Sequence, residues 1–448
     1  MKREWYRLFR RETAFLWTVL LSAAIPVLPE YAAPPLAIGA LAAAYQDAKK
    51  RNTTLQIGPV GKLMLVYIAY IAVGIAYSAH PLNSLSTVAM WAVMFCVYLA
   101  LTTVLNTRRR LHTTLHILGA ASAFIGLIAC AQYILLGAFG TKVSNQLWLP
   151  IDEWFYSIFP MDVDIHMADH RACGTFNNPN ILGEYLAMMI PLVGHYAFTG
   201  FRTRRTLCAR GFVFLMVLGM AASFSRGAYI ALLSVVLMIL VSNLKRITPL
   251  ALCLVASVSL IPEAITGRFL SIGLVSKDFA IIERFAAWEV AFQTIISRPL
   301  FGIGPGISNF WELLTKAGVG APHSHNLVLQ LLIEGGFVAL FLMCAAAIRL
   351  LQNNLELANR NRRGSGFGNA LVMFVVVFIV YGMVDYPFLS PKLIGTFFIV
   401  LSFGDANTAV YLRRPTTSFT SLPIAWWHRI YAQLKQFPPF QNRKKSHN

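Results

Sequence analysis

Apolar residues along this chain occur in long runs rather than at alternating or amphipathic spacing. A membrane-spanning helix needs roughly 20 mostly apolar residues, and the runs here have about that length, with short polar breaks between them. The pattern therefore predicts an all-α polytopic membrane protein with about twelve transmembrane helices. The predicted spans are residues 13–28, 31–45, 60–79, 85–105, 115–137, 180–199, 209–224, 227–243, 247–262, 326–350, 367–386 and 391–411.

Composition and charge add an orientation to this prediction. The chain is 57% hydrophobic and 13% charged, and its formal net charge is +19. The basic clusters fall in every second loop, which is the positive-inside pattern of cytoplasmic loops and places both termini in the cytoplasm. Anionic lipid headgroups are the usual partners of such clusters, so we expect binding to membrane lipids and no binding to nucleic acid. The clusters cover residues 2–11, 49–51, 108–110, 202–210, 245–246, 360–363 and 413–445.

Two long loops interrupt the tight turns of the outer face, at about residues 138–179 and 263–325. Long loops in compact domains are usually functional or disordered, and these two carry aromatic and aliphatic residues at helical spacing. The second loop contains a predicted amphipathic helix from about Ile281 to Ser297, which we expect to lie along the membrane surface. The sequence thus predicts a polytopic membrane domain over residues 1–412, with short amphipathic helices in both loops, and a basic cytoplasmic tail over residues 413–448.

Arginine side chains are sparse on the predicted outer face, and Arg171, Arg226 and Arg284 stand out there. Each lies near the outer end of a span or in a long loop, so bundling of the spans would bring them to one cavity. Simpler interpretations exist for all three. A terminal arginine such as Arg226 often extends to the membrane interface, Arg284 can be the polar face of its helix, and Arg171 lies in an irregular loop where basic residues are common.

The stretch APHSHNLVLQLL, residues 321–332, places His325 and Asn326 directly before an apolar run. His325 is a candidate proton acceptor, and Asn326 is a candidate substrate-binding residue beside it. The alternative is a plain helix start in which Ser324 or Asn326 supplies the capping oxygen. His323 is interpreted as the incidental neighbour of the pair.

Acidic and glycine-rich stretches give weaker signals. Glu184 and Glu334 fall inside predicted spans, where a charge is costly, so they must face the bundle interior as structural groups or as part of the cavity. Asp162 and Asp164 are hard ligands that a divalent cation accepts, although an acidic solvated loop explains them better. The stretch GIGPG, residues 302–306, lacks the ending of a phosphate-binding loop and predicts a turn. We therefore expect neither a metal nor a cofactor.

Three arginines and a histidine at a membrane surface suit an anionic, lipid-linked substrate. The planar fork of arginine binds diphosphate oxygens bidentately and keeps its charge when partly desolvated. Fixed positive charges also stabilise the negative charge that grows on a departing diphosphate. A sugar hydroxyl is a poor nucleophile, and a histidine that removes its proton typically contributes about 10²–10⁴ in rate. The residues therefore indicate transfer of a group from a diphosphate to a hydroxyl.

The stretches RACGTFNNPN, SFSRGAYIALL, ERFAAWEVA, RPLFGIGPG and HSHNLVLQLLIEGGF occur in this order across the predicted spans. As a set they resemble the O-antigen ligase and O-antigen polymerase superfamily, best between about Arg171 and Phe337. The Ser-Arg-Gly turn and the His-Asn pair before a late span carry most of the resemblance.

The resemblance implies an all-helical glycosyltransferase of the bacterial inner membrane that takes a glycan from undecaprenyl diphosphate on the periplasmic side. In the ligase branch the acceptor is the lipid A core oligosaccharide. By resemblance, His325 corresponds to the proposed base of the family, and Arg226 and Arg284 correspond to its diphosphate-binding arginines. Arg171 lies in the more variable loop that precedes them. The implied reaction is metal-independent and inverting, and it uses no cofactor.

Alternative functions remain within and outside this superfamily. A polymerase uses the same donor with a second glycan as acceptor, and other transferases of lipid-linked glycans share the pattern. A transporter of a lipid-linked glycan or an anion would also need many spans, and it would explain acids inside them. Alternating access needs a site near the midplane of the membrane, whereas the basic residues gather on one face. We therefore expect a ligase, with a polymerase as the main alternative.

Overall fold

The computed structural model of the chain describes residues 2–139, 147, 171–198, 204–242, 279–360, 362–412 and 416–419. Within these residues the helices are α1 (Lys2–Ala24), α2 (Ala33–Lys50), α3 (Pro59–Val73), α4 (Pro81–Val104), α5 (Arg108–Phe139), α6 (Pro179–Phe198), α7 (Arg204–Ala222), α8 (Arg226–Ser242), α9 (Phe279–Ser297), α10 (Ile307–Lys316), α11 (Leu327–Arg360), α12 (Arg362–Gly382) and α13 (Pro391–Leu412). Short 3-10 helices cover Glu30–Ala32, Gly74–Tyr77 and Pro387–Leu389, and the short strands are β1 (Gln56–Ile57) and β2 (Thr417–Ser418).

Among the described residues, five helices are long and apolar enough to cross a membrane: Pro59–Tyr77, Pro81–Val104, Arg108–Ala138, Leu327–Leu357 and Pro391–Leu412. Shorter apolar helices cover Glu12–Ala24, Thr206–Ala222, Arg226–Ile239 and Gly366–Gly382. The chain is therefore a helical membrane protein, as its apolar runs predict. The ninth predicted span, residues 247–262, lies outside the described residues, so the total of about twelve spans stays a prediction.

Small residues let several of these helices approach each other closely. α2 buries one face through a row of alanines, Ala33, Ala37, Ala40 and Ala44. α5 crosses α7 where Gly126 faces Gly219, and a Cβ built on Gly219 would lie 2.5 Å from the Cα atom of Gly126. Lipid tails are as apolar as leucine, so close van der Waals packing at small residues is what favours helix association in a membrane.

A buried ion pair joins the end of α2 to the start of α5. Arg110 is 2% exposed, and its guanidinium donates to both carboxylate oxygens of Asp47, at 2.8 and 3.0 Å. One arginine of the predicted lipid-binding cluster 108–110 is thus used inside the protein. Near this end β1 and β2 pair antiparallel, with Ile57 opposite Thr417, so the described start of the predicted tail is attached to the connection between α2 and α3.

A break divides α11 into two segments. At Gly336 the backbone adopts φ 64° and ψ −165°, a conformation that is essentially restricted to glycine. Residues 327–335 form the first segment, and residues 337–360 form the longer second one. The predicted span 326–350 is therefore two helical pieces, and the first piece carries His325 and Asn326 at its start.

The break in α11 docks against the connection between α9 and α10, which contains the stretch GIGPG. The N–H of Ile303 donates to the carbonyl oxygen of Ile333 at 2.8 Å, and the N–H of Phe337 donates to that of Pro299 at 2.8 Å. The Tyr70 hydroxyl, from α3, donates to the carbonyl oxygen of Gly335 at 2.8 Å. These bonds satisfy backbone groups that the break leaves without helical partners. The glycines of the connection turn the chain with positive φ, as predicted: Gly302, Gly304 and Gly306.

Candidate functional site

The starts of three other helices meet at the end of α12 and the turn that follows it, residues 381–386, which we call the central turn. The starts of α6, α11 and α8 each contact it. The Tyr381 hydroxyl donates to the carbonyl oxygen of Asn180 at 2.8 Å, the Asn326 side chain donates to that of Met383 at 3.1 Å, and a Cβ on Gly227 would lie 2.8 Å from Val384 Cγ2. We call this end of the bundle the site end.

Asp385 occupies the centre of this turn and is hydrogen-bonded to His325. Nδ1 of His325 lies 3.1 Å from Oδ1 of Asp385, and the same oxygen accepts the backbone N–H of Tyr386 at 2.9 Å. Burial raises the pKa of the Asp385 carboxyl, but the hydrogen bond from His325 and the electrostatic interactions with His325, His323 and Arg284 outweigh burial and hold the pKa well below its usual range. Asp385 is therefore a fixed negative charge beside the imidazole.

The contact with Asp385 decides which nitrogen of His325 can act as a base. An ionised carboxylate only accepts hydrogen bonds, so Nδ1 of His325 carries the proton that it donates to Asp385. The lone pair of the neutral ring is then on Nε2. The His325 side chain is 22% exposed and that of Asp385 is 16% exposed. A partly exposed imidazole with a charged, partly buried partner is the arrangement of a general base and the group that orients it.

His323 completes a cluster of possible metal ligands with His325 and Asp385. One ligand atom from each lies within 4.8 Å of the others, and among the described residues this is the cluster with that property. However, Nδ1 of His323 accepts the backbone N–H of His325 at 3.0 Å, so its Nε2 carries the ring proton. A metal bound at Nε2 would displace that proton and disrupt this hydrogen bond. His323, His325 and Asp385 therefore fit a hydrogen-bonded cluster better than they fit a metal site.

Arg284 lies one helical turn before Trp288 on α9 and is half-buried. The indole N–H of Trp288 donates to the carbonyl oxygen of Ser324 at 2.8 Å, which fixes α9 beside the segment that carries His325. Arg284 is also among the charges that lower the pKa of Asp385. The structure therefore brings Arg284 into the electrostatic neighbourhood of the histidine and the aspartate.

Arg226 is the first residue of α8 and follows a tight turn. The turn bends at Phe224, which has a φ of 50°, and Oγ of Ser225 accepts the N–H of Ala228 as a cap at 3.4 Å. The next residue, Gly227, packs against Val384 of the central turn. The start of α8, which carries Arg226, therefore lies against Val384, the residue before Asp385.

Arg171 has a different environment from the other two arginines. Its Nε donates to the carbonyl oxygen of Ser223 at 2.9 Å, and its Nη2 donates to Oδ1 of Asn180 at 2.6 Å. The N–H of Ala172 also donates to the carbonyl oxygen of Ala222 at 3.0 Å. Arg171 thus ties the loop before α6 to the turn that carries Arg226. A role in substrate binding for Arg171 stays a prediction.

Asn326 acts as the cap of α11. Its Oδ1 accepts the N–H groups of Val328 and Leu329 at 3.0 and 3.1 Å, while its Nδ2 is used by Met383. Of the two capping residues considered from the sequence, Asn326 supplies the oxygen. Its amide positions the start of α11 against the central turn, and contact with a substrate stays a prediction.

The two acids inside predicted spans have different surroundings. Glu334 accepts Nε2 of Gln330 at 2.9 Å and is 7% exposed, which is the environment of a structural carboxyl. Glu184 is 2% exposed and interacts electrostatically with Asp385. Its Oε1 has no hydrogen-bond partner among the described residues. Asp162 and Asp164, the other cation candidates, lie outside the described residues.

Sequence reasoning missed Asp385 and underrated His323. Asp385 was placed inside the predicted span 367–386, but α12 ends at Gly382 and the aspartate lies in the turn. An ionisable residue within or at the edge of an apolar run is itself a signal of function, and Asp385 carries that signal as Glu184 and Glu334 do. For His323 the sequence held no comparable signal, because its contacts depend on a backbone turn.

Comparison with known families gives a match over part of the chain. Residues 211–344 match the family model described as O-antigen ligase. The match confirms the resemblance seen in the sequence, and it contains Arg226, Arg284, His325 and Asn326. Arg171 and Asp385 lie on either side of the matched residues. A comparison of the chain with curated proteins finds no match.

Proposed function

We propose that this membrane protein, which carries an O-antigen ligase domain over residues 211–344, moves a glycan from undecaprenyl diphosphate to a sugar hydroxyl of the lipid A core. In this proposal the site end faces the periplasm, both termini are cytoplasmic, and the protein resides in the bacterial inner membrane. Residues 1–412 form the membrane domain, and residues 413–448 form the cytoplasmic tail.

His325 is the general base of the proposed reaction. The acceptor hydroxyl oxygen attacks the anomeric carbon of the donor glycan from the face opposite the diphosphate, and the bond between that carbon and the diphosphate oxygen breaks. The hydroxyl proton goes to Nε2 of His325, and the configuration at the anomeric carbon inverts. Asp385, across 3.1 Å from Nδ1, stabilises the imidazolium that forms. Undecaprenyl diphosphate leaves with both bonding electrons.

Arg226 and Arg284 bind the diphosphate in this proposal. Guanidinium groups bind phosphate oxygens bidentately, and fixed donors aimed at developing charge contribute about 10²–10³ in rate each. They thereby supply the charge that a divalent cation supplies in other phosphate-using enzymes, so the reaction is proposed to be metal-independent. Arg171 and Asn326 support the same site, Arg171 through the turn before Arg226 and Asn326 through the start of α11.

The observation that carries the proposal is the His325–Asp385 pair, with Arg284 among the groups that act electrostatically on Asp385. Arg226 starts the helix whose next residue, Gly227, packs against Val384, and His325 and both arginines lie within the matched residues. The test incubates purified protein in detergent with a lipid-linked glycan and lipid A core, and analyses the products by mass spectrometry. Transfer to the core supports the ligase, and its loss in His325→Gln with unchanged donor binding supports the role of the base. Detergent leaves no compartments, so a transporter would yield no product.

A second acceptor in the same assay separates ligase from polymerase. A second lipid-linked glycan replaces lipid A core while the donor and the protein stay the same. Elongated lipid-linked glycan without any core product would replace the proposed acceptor and leave the donor chemistry in place. Absence of both products from active protein preparations would remove the glycosyltransferase proposal itself.

A further inference from the structure

His323 is buried directly behind the proposed base. Its side chain is 2% exposed, and Nδ1 accepts the backbone N–H of His325 at 3.0 Å. The centroids of the two imidazole rings are 4.0 Å apart, at an interplanar angle of 46°. At this burial His323 is shielded from substrate, so any part that it plays in the reaction acts through His325.

The backbone of His325 needs the support that His323 gives. His325 has a φ of 48°, in the left-handed region that only a few per cent of residues other than glycine adopt, histidine more often than most. Such a conformation persists only where surrounding contacts determine it. The hydrogen bond to Nδ1 of His323 is one such contact, because it holds the N–H of the left-handed residue itself.

Side chains, rather than a regular element, hold the rest of this turn. The N–H of Ser324 donates to Oε1 of Gln330 at 3.1 Å, and Oγ of Ser324 donates to the carbonyl oxygen of Asn326 at 3.0 Å. The carbonyl oxygen of Ser324 accepts the indole N–H of Trp288. Side chains thus contact four backbone groups of this turn: the N–H and the carbonyl oxygen of Ser324, the N–H of His325 and the carbonyl oxygen of Asn326.

Both histidines also lie near one carboxylate oxygen, although only His325 is within hydrogen-bond distance of it. His323 accepts through Nδ1, so its proton is on Nε2, which lies 4.0 Å from Oδ1 of Asp385. His325 donates from Nδ1 to the same oxygen at 3.1 Å. His323 therefore helps to keep Oδ1 of Asp385 a charged acceptor at the place where His325 needs it.

We propose that His323 is a positioning residue for the transfer reaction proposed above: through Nδ1 it fixes the left-handed backbone of His325 and thereby aims the Nε2 lone pair of the base. This inference rests on the proposed function for its catalytic consequence. The backbone restraint itself is independent of which reaction occurs.

The test compares two substitutions that differ in one property. His323→Asn keeps an acceptor, because an asparagine oxygen bonds the N–H two residues further on in an Asx turn. His323→Leu fills similar space without an acceptor. We expect kcat to fall about 100-fold in His323→Leu, as a misplaced catalytic group does, with KM for the donor unchanged. We expect His323→Asn to recover at least about tenfold of that loss.

A second measurement follows the hydrogen bond without relying on activity. Amide hydrogen exchange of the peptide containing residues 323–326 is measured by mass spectrometry. In His323→Leu the exchange of the His325 amide should rise roughly tenfold, and in His323→Asn it should stay near the wild-type rate. His80→Leu is the matched control, because His80 has a 42% exposed side chain at the start of α4, and it should change neither readout.

The outcomes separate this inference from the proposed function. Wild-type kcat or wild-type exchange in His323→Leu would overturn the positioning role. Equal losses of kcat in the leucine and asparagine variants would show that the imidazole itself is required, which also overturns it. A wild-type protein that transfers no glycan would remove the proposed function, while the exchange measurement still decides whether His323 holds the backbone of His325.

Discussion

Asp385 accepts the Nδ1 proton of His325 across 3.1 Å, although 60 residues of sequence separate the two. Two structural features make this contact possible. α12 stops at Gly382, which leaves Asp385 in a turn, and the Asn326 side chain binds the carbonyl oxygen of Met383 in the same turn. The catalytic proposal therefore depends on how the start of α11 meets the end of α12.

Replacing Asp385 by asparagine should lower kcat by about 100-fold with little change in KM. The imidazole remains, but it loses the charge that orients it and stabilises its protonated form, so the loss falls at the low end of a general base's contribution. Steady-state kinetics with the lipid-linked donor measure the effect. Glu312→Gln is the control, since Glu312 is bonded to Lys316 on α10. An Asp385→Asn variant as active as this control would contradict the role of Asp385.

Replacing Arg226 or Arg284 by lysine should lower kcat/KM for the donor by about 10- to 100-fold. Lysine keeps the charge but lacks the bidentate fork, and a hydrogen bond to a charged group contributes roughly 1.5–3 kcal/mol. Donor-concentration series give the ratio directly. Arg298→Lys, at an exposed arginine just after α9, should retain activity. Normal turnover in both site variants would contradict the role of Arg226 and Arg284 in binding the diphosphate.

Gly336→Ala should destabilise the protein and abolish transfer. The combination of φ 64° and ψ −165° is essentially restricted to glycine, and a Cβ would lie 2.3 Å from the carbonyl oxygen of Leu300. Relieving this overlap would move the first segment of α11 and His325 with it, at a cost of about 1–3 kcal/mol. Thermal unfolding in detergent measures the change. Gly137→Ala serves as the control, because its Cβ would meet nothing within 4 Å, and equal melting temperatures for the two variants would argue against the break.

The stabilising contribution of Asp385 should weaken only in acid. Its pKa in the folded protein lies below the usual value of about 3.9, so the contribution is fully present above about pH 4 and is lost as the pH falls through the folded pKa. The difference in melting temperature between wild type and Asp385→Asn should therefore narrow below about pH 4. A difference that grows on acidification would mean that Asp385 is not held ionised by its histidine and arginine neighbours.

Chelators should leave transfer unchanged. The ring proton of His323 faces Asp385, and the arginines supply the positive charge for the diphosphate. The assay compares turnover with and without EDTA, followed by added Mg²⁺, Mn²⁺ or Zn²⁺. Activity lost to EDTA and restored by one of these ions would assign a metal to His323, His325 and Asp385, or to Asp162 and Asp164.

Much of the local structure of the site was predictable from the sequence. The Ser-Arg-Gly stretch predicts a tight turn before a span over residues 227–243, and α8 covers Arg226–Ser242 directly after such a turn. The periodicity around Arg284 predicted a helix from about Ile281 to Ser297, and α9 covers Phe279–Ser297. Such features depend on residues close together in the chain, where turn chemistry and helical spacing act directly.

The hydrogen-bond partners of the site residues could not be predicted from the sequence. The sequence indicates Arg171 as a candidate substrate-binding residue in a loop, and in the structure its guanidinium donates to the carbonyl oxygen of Ser223 and to Oδ1 of Asn180. His323 looked incidental, and it holds the backbone of His325. A hydrogen bond depends on distance and direction to within a few tenths of an ångström, and spacing along the chain carries no such information between separate helices.

The sequence by itself determined that this chain is a helical membrane protein with cationic residues at helix ends, because apolar run length and charge placement act through the solvent that each segment meets. Tertiary structure alone decided that Asp385 lies beside His325 and that a break at Gly336 divides α11 into two segments. Those relations arise where separate helices pack, and packing depends on the shapes of all the surfaces in contact.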